Sequence, residues 1–497
     1  MAYRVEIPAV TLDDYEEYAP LAPGVAQLRA EARQIVPRLA GRTLWMVNST
    51  EQGGGVAEML PTMVALLRDL GLATEWVVIE SDRPAFFDLT KRLHNLIHGE
   101  GDPELAPGDR EVLEAVNREN AEVMRGWMRP GDILAVHDPQ PMPLASLLCQ
   151  EMKTHCLWRC HIGVDEMNAQ TRSVWNFLRP YAEPYERAIF SAPEYIPDYL
   201  SNRSSIVYPA LDPLTNKNRE ISVHKIAGIL ANGALSVNPG PVLTPPFSSV
   251  AQRLLPNGEF APANMAEDVG LIHRPIITQI SRWDRLKGFA PLMEAFALLK
   301  STLPAVESLD PIHRRRIELV RLVLGGPDPA SIADDPEGVE VIEELIARYT
   351  ELDPLTQRDL ALIALPMKSR DENALMINAI QRTSSIVVQN SIREGFGLTV
   401  TEAMWKGVPV LSNRKAVGPR QQIRDGLDGC LIDDPEDPEQ LAHTLDRMLA
   451  TPHDRDSWGR SARRRAHDHF LIFTQLDRWL RLLGDVVREG RGGRGSF

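Results

Sequence analysis

Apolar residues along the chain fall into short uninterrupted runs, separated by stretches with helical spacing. Residues 43–50 (TLWMVNST) form one such run, 51–55 (EQGGG) a turn, and 56–70 a helix with apolar positions Val56, Leu60, Met63, Leu67 and Leu70. Gly71 ends that helix, and 74–80 (TEWVVIE) predicts the next strand. A β-α-β unit of this kind predicts a parallel sheet covered by helices. Further strands are expected at 132–138, 155–162 and 187–193, so residues 1–212 read as one doubly wound α/β domain. In HCLWRCHI, period two sets Cys156, Trp158 and Cys160 on one face and Leu157, Arg159 and His161 on the other. His161 then stands at a strand end.

Between 213 and 272 the texture changes to Pro, Gly, Asn and Ser without a sustained period, as in NPGPVLTPPFSS and LPNGEFAPANM. A linker is expected there, with the Pro-rich insertion at 234–265 forming a surface loop. The alternation then restarts, with strands predicted at 275–281, 318–326, 360–366, 385–391 and 408–413. Helices are predicted at 288–300, 339–350, 372–383 and 399–406, giving a second doubly wound domain over 273–470. Residues 471–497 are expected to form a helix returning to the first domain, followed by a frayed tail, GRGGRGSF. Two such domains imply an interdomain cleft, with ligand-binding residues in the loops that follow strands.

Composition narrows the partners. The 497 residues are 43% hydrophobic and 25% charged, a globular balance for a chain of two or three domains. A formal charge of −14 repels phosphate backbones and anionic lipid, so neither nucleic acid nor membrane is expected as a partner, although one basic cleft could still take a nucleotide. The acidic N-terminus lacks a secretory core, and no run approaches the ~18 apolar residues of a membrane span. A cytoplasmic protein is expected, with small-molecule partners and a homodimer as one open form of assembly. Cys149, Cys156, Cys160 and Cys430 are too few for a disulfide framework and are expected reduced. Cys156, Cys160 and His161 lack the paired spacing of a structural zinc site, so no metal is expected.

Three loops carry candidate chemistry, and each follows a predicted strand. Gly53, Gly54 and Gly55 precede a helix whose free N–H groups suit a phosphate or sugar, without the Lys-Ser/Thr of a P-loop. In SRWDRLKG, Arg282 and Lys287 could together neutralise a diphosphate. In SIREGFGLTVTEAMWKGVPV, Gly395 and Gly397 open a loop before a helix starting near Thr399, with Glu394 in the loop and Glu402 in the first turn. Thr399 to Glu402 also matches a capping box, a purely structural use for Glu402.

With Glu394 and Glu402 in an E-x7-E arrangement, EGFGLTVTEAMWKGVPV resembles retaining glycosyltransferases of the GT-B fold, and SRWDRLKG is similar to their diphosphate-binding loop. Within that superfamily VNSTEQGGGVAEML, VNREN, VHDPQP, LWRCHI and SIREGFGLTVTEAMWKG resemble the trehalose synthases, over most of 40–215 and 273–485. The resemblance implies two Rossmann-like domains and transfer of glucose from a nucleoside diphosphate glucose (UDP, ADP or GDP) onto free glucose. No cofactor is expected to be required, because Arg282, Lys287 and the helix end can supply the charge that Mg²⁺ gives elsewhere, with a stimulatory Mg²⁺ left open. Arg282 and Lys287 would hold the diphosphate, Glu402 the ribose and Glu394 the donor sugar. Gly54, Gly55, Gly395, Phe396, Gly397, Leu398 and Thr399 would complete the donor site. His161 would be the active-site histidine, with Asp138 and Gly54 near the acceptor. Pro419 departs from the family by replacing a second glycine, and Arg414, Lys415 and Arg420 beside it keep a sugar phosphate or glycerate acceptor as an alternative. A further alternative is a nucleotide-sugar-binding regulator without turnover.

Overall fold

The computed structural model describes residues 1–51, 55–237, 242–265, 267–301, 310–331 and 336–492. They form two units, one of Met1–Asp212 with the chain from His469 onward, the other of Pro213–Asp468.

The sheet of the first unit runs Tyr3–Arg4, Thr74–Val78, Leu44–Asn48, Ile133–His137, His155–Arg159, Arg187–Phe190, Ser204–Ile206. Neighbours are parallel except at Tyr3–Arg4, which pairs antiparallel with Thr74–Val78. Every residue of Leu44–Asn48, Ile133–His137 and His155–Arg159 is buried, the burial on both faces that helix-covered parallel strands require. The chain between 84 and 125 forms two helices, Pro84–Ile97 and Pro107–Arg125, each opening on a proline whose missing N–H would have had no helical partner. The helix Ile472–Gly492 belongs to this unit, with Trp479 buried and Gln475 Nε2 donating to the Tyr208 carbonyl at 3.2 Å. Of the tail expected to fray, residues 493–497 lie outside the described residues.

One cysteine expectation is corrected. Cys149 and Cys156 form a disulfide, because left-handed Lys153 (φ 51°) turns the helix Leu144–Met152 tightly into the strand His155–Arg159 and brings the two Cα atoms to 6.5 Å. Cys160 and Cys430 are free and buried.

The second sheet runs Gly429–Ile432, Val410–Asn413, Ile386–Val388, Ile276–Ile280, Arg321–Pro327, Leu360–Leu365, Gln252–Leu254, Phe260–Pro262. The last two strands correct the reading of 213–272 as a linker with a surface loop. They form an antiparallel hairpin that extends this sheet along Leu360–Leu365. Before it, the helix Val223–Asn232 adds Ile229 and Leu230 to a core shared with Ile276, Val323 and Ile363. Three-residue strands show no period, yet Arg253 in the first is buried, and its guanidinium donates to the carbonyls of Glu267, Arg358 and Leu360 at 2.7 to 3.3 Å. Residues 238–241 of the insertion lie outside the described residues.

Each sheet changes winding direction at one point. In the first, Leu44–Asn48 is flanked by Thr74–Val78 and Ile133–His137; in the second, Ile276–Ile280 is flanked by Arg321–Pro327 and Ile386–Val388. The crevice beyond the carboxyl ends of such strands is where open α/β sheets bind ligands.

Candidate active site

The switch point of the second sheet places the loops after Ile276–Ile280 and Ile386–Val388 side by side, and both contain candidate residues. Gln279, fully buried at the end of its strand, bridges them: its Nε2 donates to the Lys287 carbonyl at 2.7 Å and its Oε1 accepts from the Asn390 N–H at 3.0 Å. The Ile392 N–H donates to the Leu286 carbonyl at 2.8 Å, and Asn390 Nδ2 to the Gly288 carbonyl at 3.1 Å. Gly288 is left-handed (φ 61°), and a Cβ there would lie 2.2 Å from the Asn390 carbonyl, so only glycine permits this approach.

This stitching sets the charges. Lys287 Nζ lies 2.7 Å from Glu394 Oε2, which also accepts from Ser391 Oγ at 3.1 Å and Gln389 Nε2 at 3.2 Å. A carboxylate with three donors is fixed in direction before any ligand arrives. Arg282, in the same loop as Lys287, is not drawn into this cluster; its side chain is 75% exposed, with Nη2 3.6 Å from Asp284 Oδ2.

The helix after Glu394 runs Leu398–Trp405 from left-handed Gly397 (φ 78°). It starts one residue earlier than expected, which corrects the capping-box reading: Thr399 lies inside the first turn, and Glu402 is a buried residue of the helix body. Gly395, Phe396, Gly397, Leu398 and Thr399 form the approach and first turn, with the Phe396 carbonyl accepting from Gln422 Nε2 at 2.5 Å. Gly418 packs against that carbonyl so closely that a Cβ would sit 2.2 Å away. Pro419 is the third residue of the helix Val417–Gln422, where an N–H would have no helical acceptor, so the proline costs the helix nothing.

Glu402 faces Lys217, whose Nζ is 3.2 Å from its Oε1. Burial opposes ionisation of Glu402, but the charges of Lys217 and Lys406 outweigh it and hold the carboxyl below its ordinary range. Lys406 is buried, its Nζ donating to Gln381 Oε1 at 2.5 Å, and burial pushes its pKa down to about 7 against the opposing pull of Glu402. The basic residues near Pro419 are engaged by acids or backbone: Arg414 with Asp425 at 2.5 Å and Asp433 at 3.1 Å, Lys415 with Asp434 at 2.9 Å, and Arg420 with the Arg414 carbonyl at 2.9 Å.

In the first unit, Gly53 and Gly54 lie outside the described residues, and Gly55 opens the helix Gly55–Asp69. At the other switch-point strand, Asp138 takes the left-handed conformation (φ 63°), unusual for a residue with a Cβ. Its N–H donates to the Arg159 carbonyl at 2.7 Å, its carbonyl accepts from Trp158 Nε1 at 3.0 Å, and its Oδ1 accepts from the His161 N–H at 2.8 Å. Asp138 therefore holds the segment after the strand His155–Arg159, where His161 lies two residues beyond the strand end expected to carry it. Burial pushes its carboxyl up to about 6, against the His161 N–H and the Arg159 charge. The His161 ring meets His137, with Nε2 and Nδ1 2.9 Å apart. Cys156 cannot join a metal site here while bonded to Cys149.

Residues 46–197 match the family described as trehalose synthase, N-terminal domain, and residues 365–465 match glycosyl transferases group 1. A trehalose synthase of Pyrococcus horikoshii is 33% identical over 92% of this chain and 93% of its own length. The chain belongs to the trehalose synthase family. A Rubrobacter xylanophilus trehalose synthase is 30% identical over 93% of this chain and 94% of its own. Among solved structures, an α,α-trehalose-phosphate synthase of Burkholderia vietnamiensis superposes with a TM-score of 0.62 at 16% identity, covering 90% of this chain and 98% of that one. The fold is GT-B, two Rossmann-like domains, and the protein is a glycosyltransferase.

For this family member, reading by motif passed over Gln279, Gln389, Asn390, Ser391, Lys217, Lys406 and His137. All but Lys217 are buried. A signal existed for several of them: Gln279 interrupts the apolar run PIITQIS, and Gln389, Asn390 and Ser391 extend the run SIVV with consecutive polar residues that burial obliges to pair. Nothing in the local sequence links Lys217 to Glu402.

Proposed function

We propose that this protein transfers glucose, with retention, from a nucleoside diphosphate glucose to the anomeric hydroxyl of free glucose, giving α,α-trehalose. The observation that carries the reading is the Lys287–Glu394 pair of 2.7 Å at the switch point of the second sheet. Beside a diphosphate, Lys287 supplies positive charge where the leaving group gains negative charge. Exposed Arg282 adds a second cation free to swing onto the phosphates. Glu394, already aimed by three donors, accepts from donor-sugar hydroxyls, and ionised Glu402 accepts from the ribose.

In the reaction the bond from C1 of the donor sugar to the phosphate oxygen breaks, and a bond from C1 to the acceptor hydroxyl oxygen forms on the same face. The acceptor's proton passes to the departing phosphate oxygen, and the nucleoside diphosphate leaves. On the first unit, His161 and Asp138 are the groups we assign to acceptor contact.

A free sugar is favoured over a sugar phosphate because Arg414 and Lys415, which would have to attract the extra phosphate, are paired with Asp425, Asp433 and Asp434. Incubation with a panel of nucleotide sugars and of free and phosphorylated sugars, with the product linkage read by NMR, tests the proposal. An α,α-linked non-reducing disaccharide is expected. A product of another linkage, a strict need for a phosphorylated acceptor, or binding without turnover overturns it.

A further inference from the structure

His137 stands at the end of its strand, fully buried, and among the described residues its ring makes one hydrogen bond, between Nδ1 and Nε2 of His161 at 2.9 Å. The two rings are nearly coplanar, 14° apart with centroids 5.2 Å apart, so the bond runs edge to edge in both ring planes. Trp479 lies nearly parallel to the His137 ring, with centroids 6.2 Å apart. The other nitrogen of His137, Nε2, is buried without a hydrogen-bond partner among the described residues. His161 is half-buried, and among the described residues its Nδ1 has no protein partner.

Desolvation, with the nearby Arg159 cation, keeps both rings neutral, so a single proton lies between Nδ1 of His137 and Nε2 of His161. If His161 owned it, His137 would be protonated at Nε2 and would bury an N–H with no acceptor, close to a cation. If His137 owns it, the orphaned atom is a lone pair, which the Arg159 charge favours. Buried unpaired N–H donors are the rarer and costlier case. His161 must then carry its own proton on Nδ1.

We propose that His137 is a positioning residue that donates its Nδ1–H to His161 Nε2 and so fixes His161 as an Nδ1–H tautomer. The half-buried ring then presents a hydrogen-bond donor to a sugar oxygen and has no free lone pair to act as a base. The inference rests on the proposed reading of His161 as an acceptor-contacting residue.

The test is a long-range ¹H–¹⁵N correlation spectrum of the histidine-labelled full chain at pH 7, with His137→Asn and His161→Asn used for assignment. The expected result for His161 is a neutral ring protonated at Nδ1. In His137→Leu, which removes the donor, the His161 signals should move toward the Nε2-protonated pattern. The kcat of trehalose formation should fall about tenfold, as for one lost hydrogen bond of ordinary net worth, with the donor KM nearly unchanged. His137→Asn keeps an amide donor near the Nδ1 position and should restore the tautomer and most of the rate. An Nε2-protonated or doubly protonated His161 in the unmodified protein overturns the proposal, as does an unchanged tautomer in a folded His137→Leu. Absence of trehalose formation in the unmodified protein would overturn the functional reading, while the tautomer is read without turnover.

Discussion

Lys406→Met is expected to stabilise the second unit by an amount that changes with pH. Lys406 is buried beside Glu402 with its Nζ 2.5 Å from Gln381 Oε1, and burial lowers its pKa from 10.5 to about 7. The unfolded chain keeps that proton up to 10.5 and the folded chain only up to about 7, so between these values stability rises with pH. At about 1.4 kcal/mol for each pH unit, the buried ammonium opposes folding by about 5 kcal/mol at and below neutrality. Methionine has a similar volume and no charge to desolvate. Against the gain stands Gln381 Oε1 left without its donor, about 2 kcal/mol. Glu402 keeps Lys217 at 3.2 Å, so it is not stranded as a lone buried charge. The net gain is about 3 kcal/mol at pH 7, falling by about 1.4 kcal/mol per pH unit and vanishing near pH 9. Calorimetric unfolding of both proteins side by side at pH 6, 7, 8 and 9 reads this as a Tm difference that shrinks with pH. A variant less stable at pH 7, or a difference that stays constant from pH 7 to 9, refutes the reasoning.

Three further outcomes follow from the site. Lys287→Ala should lower turnover by ~10²-fold or more, as for loss of a preorganised charge-stabilising donor; an unchanged kcat at saturating donor would remove Lys287 from the mechanism. Glu394→Ala should weaken binding of the nucleotide sugar while the nucleoside diphosphate alone binds nearly as before, and titration calorimetry with both ligands would expose the error if the two affinities fell together. Asp138 has its carboxyl raised from 3.8 to about 6, so its ionisation state favours the fold most below 3.8, and that contribution is lost as pH rises through 6. Asp138→Asn, which tolerates the left-handed backbone and still accepts from the His161 N–H, should therefore be at least as stable as the original at pH 7.5. That advantage should fade in thermal unfolding at pH 4.5.

The fold was legible where burial is symmetric. Strands such as Leu44–Asn48 and Leu360–Leu365 are buried along their whole length, and uninterrupted apolar runs are the form that burial takes in sequence. The hairpin Gln252–Leu254 and Phe260–Pro262 was not legible. Its strands are shorter than one period of any pattern, and its buried Arg253 reads as surface until the three carbonyls it reaches, two of them over a hundred residues away, are known. The disulfide was missed for a similar reason. Cys149 and Cys156 lie in different elements, and only the reversal at Lys153 makes them neighbours. At the site, Lys287 and Glu394 were legible as loop residues after strands. Their contact across a separation of 107 residues depends on the sheet order, which places the two loops next to each other.

That contact bears on how a ligand would be taken up. An ion pair such as Lys287–Glu394 could inhibit binding if a diphosphate had to break it, since each half would then need a new partner. Glu394 escapes that difficulty. Its Oε2 is held by Lys287, Ser391 and Gln389, so its orientation survives if Lys287 turns toward phosphate. Lys287 in turn has three N–H donors and uses one on Glu394, leaving others for a phosphate without separation of the pair. Among the described residues Arg282 is held only by Asp284 at 3.6 Å, and its 75% exposed side chain can reorganise. In a chain of net charge −14, where Arg414, Lys415 and Lys217 are each matched to an acid, Lys287 is paired too but keeps N–H donors beyond the one on Glu394, and 75% exposed Arg282 touches its acid only at 3.6 Å, so these two cations are the ones suited to an anionic ligand.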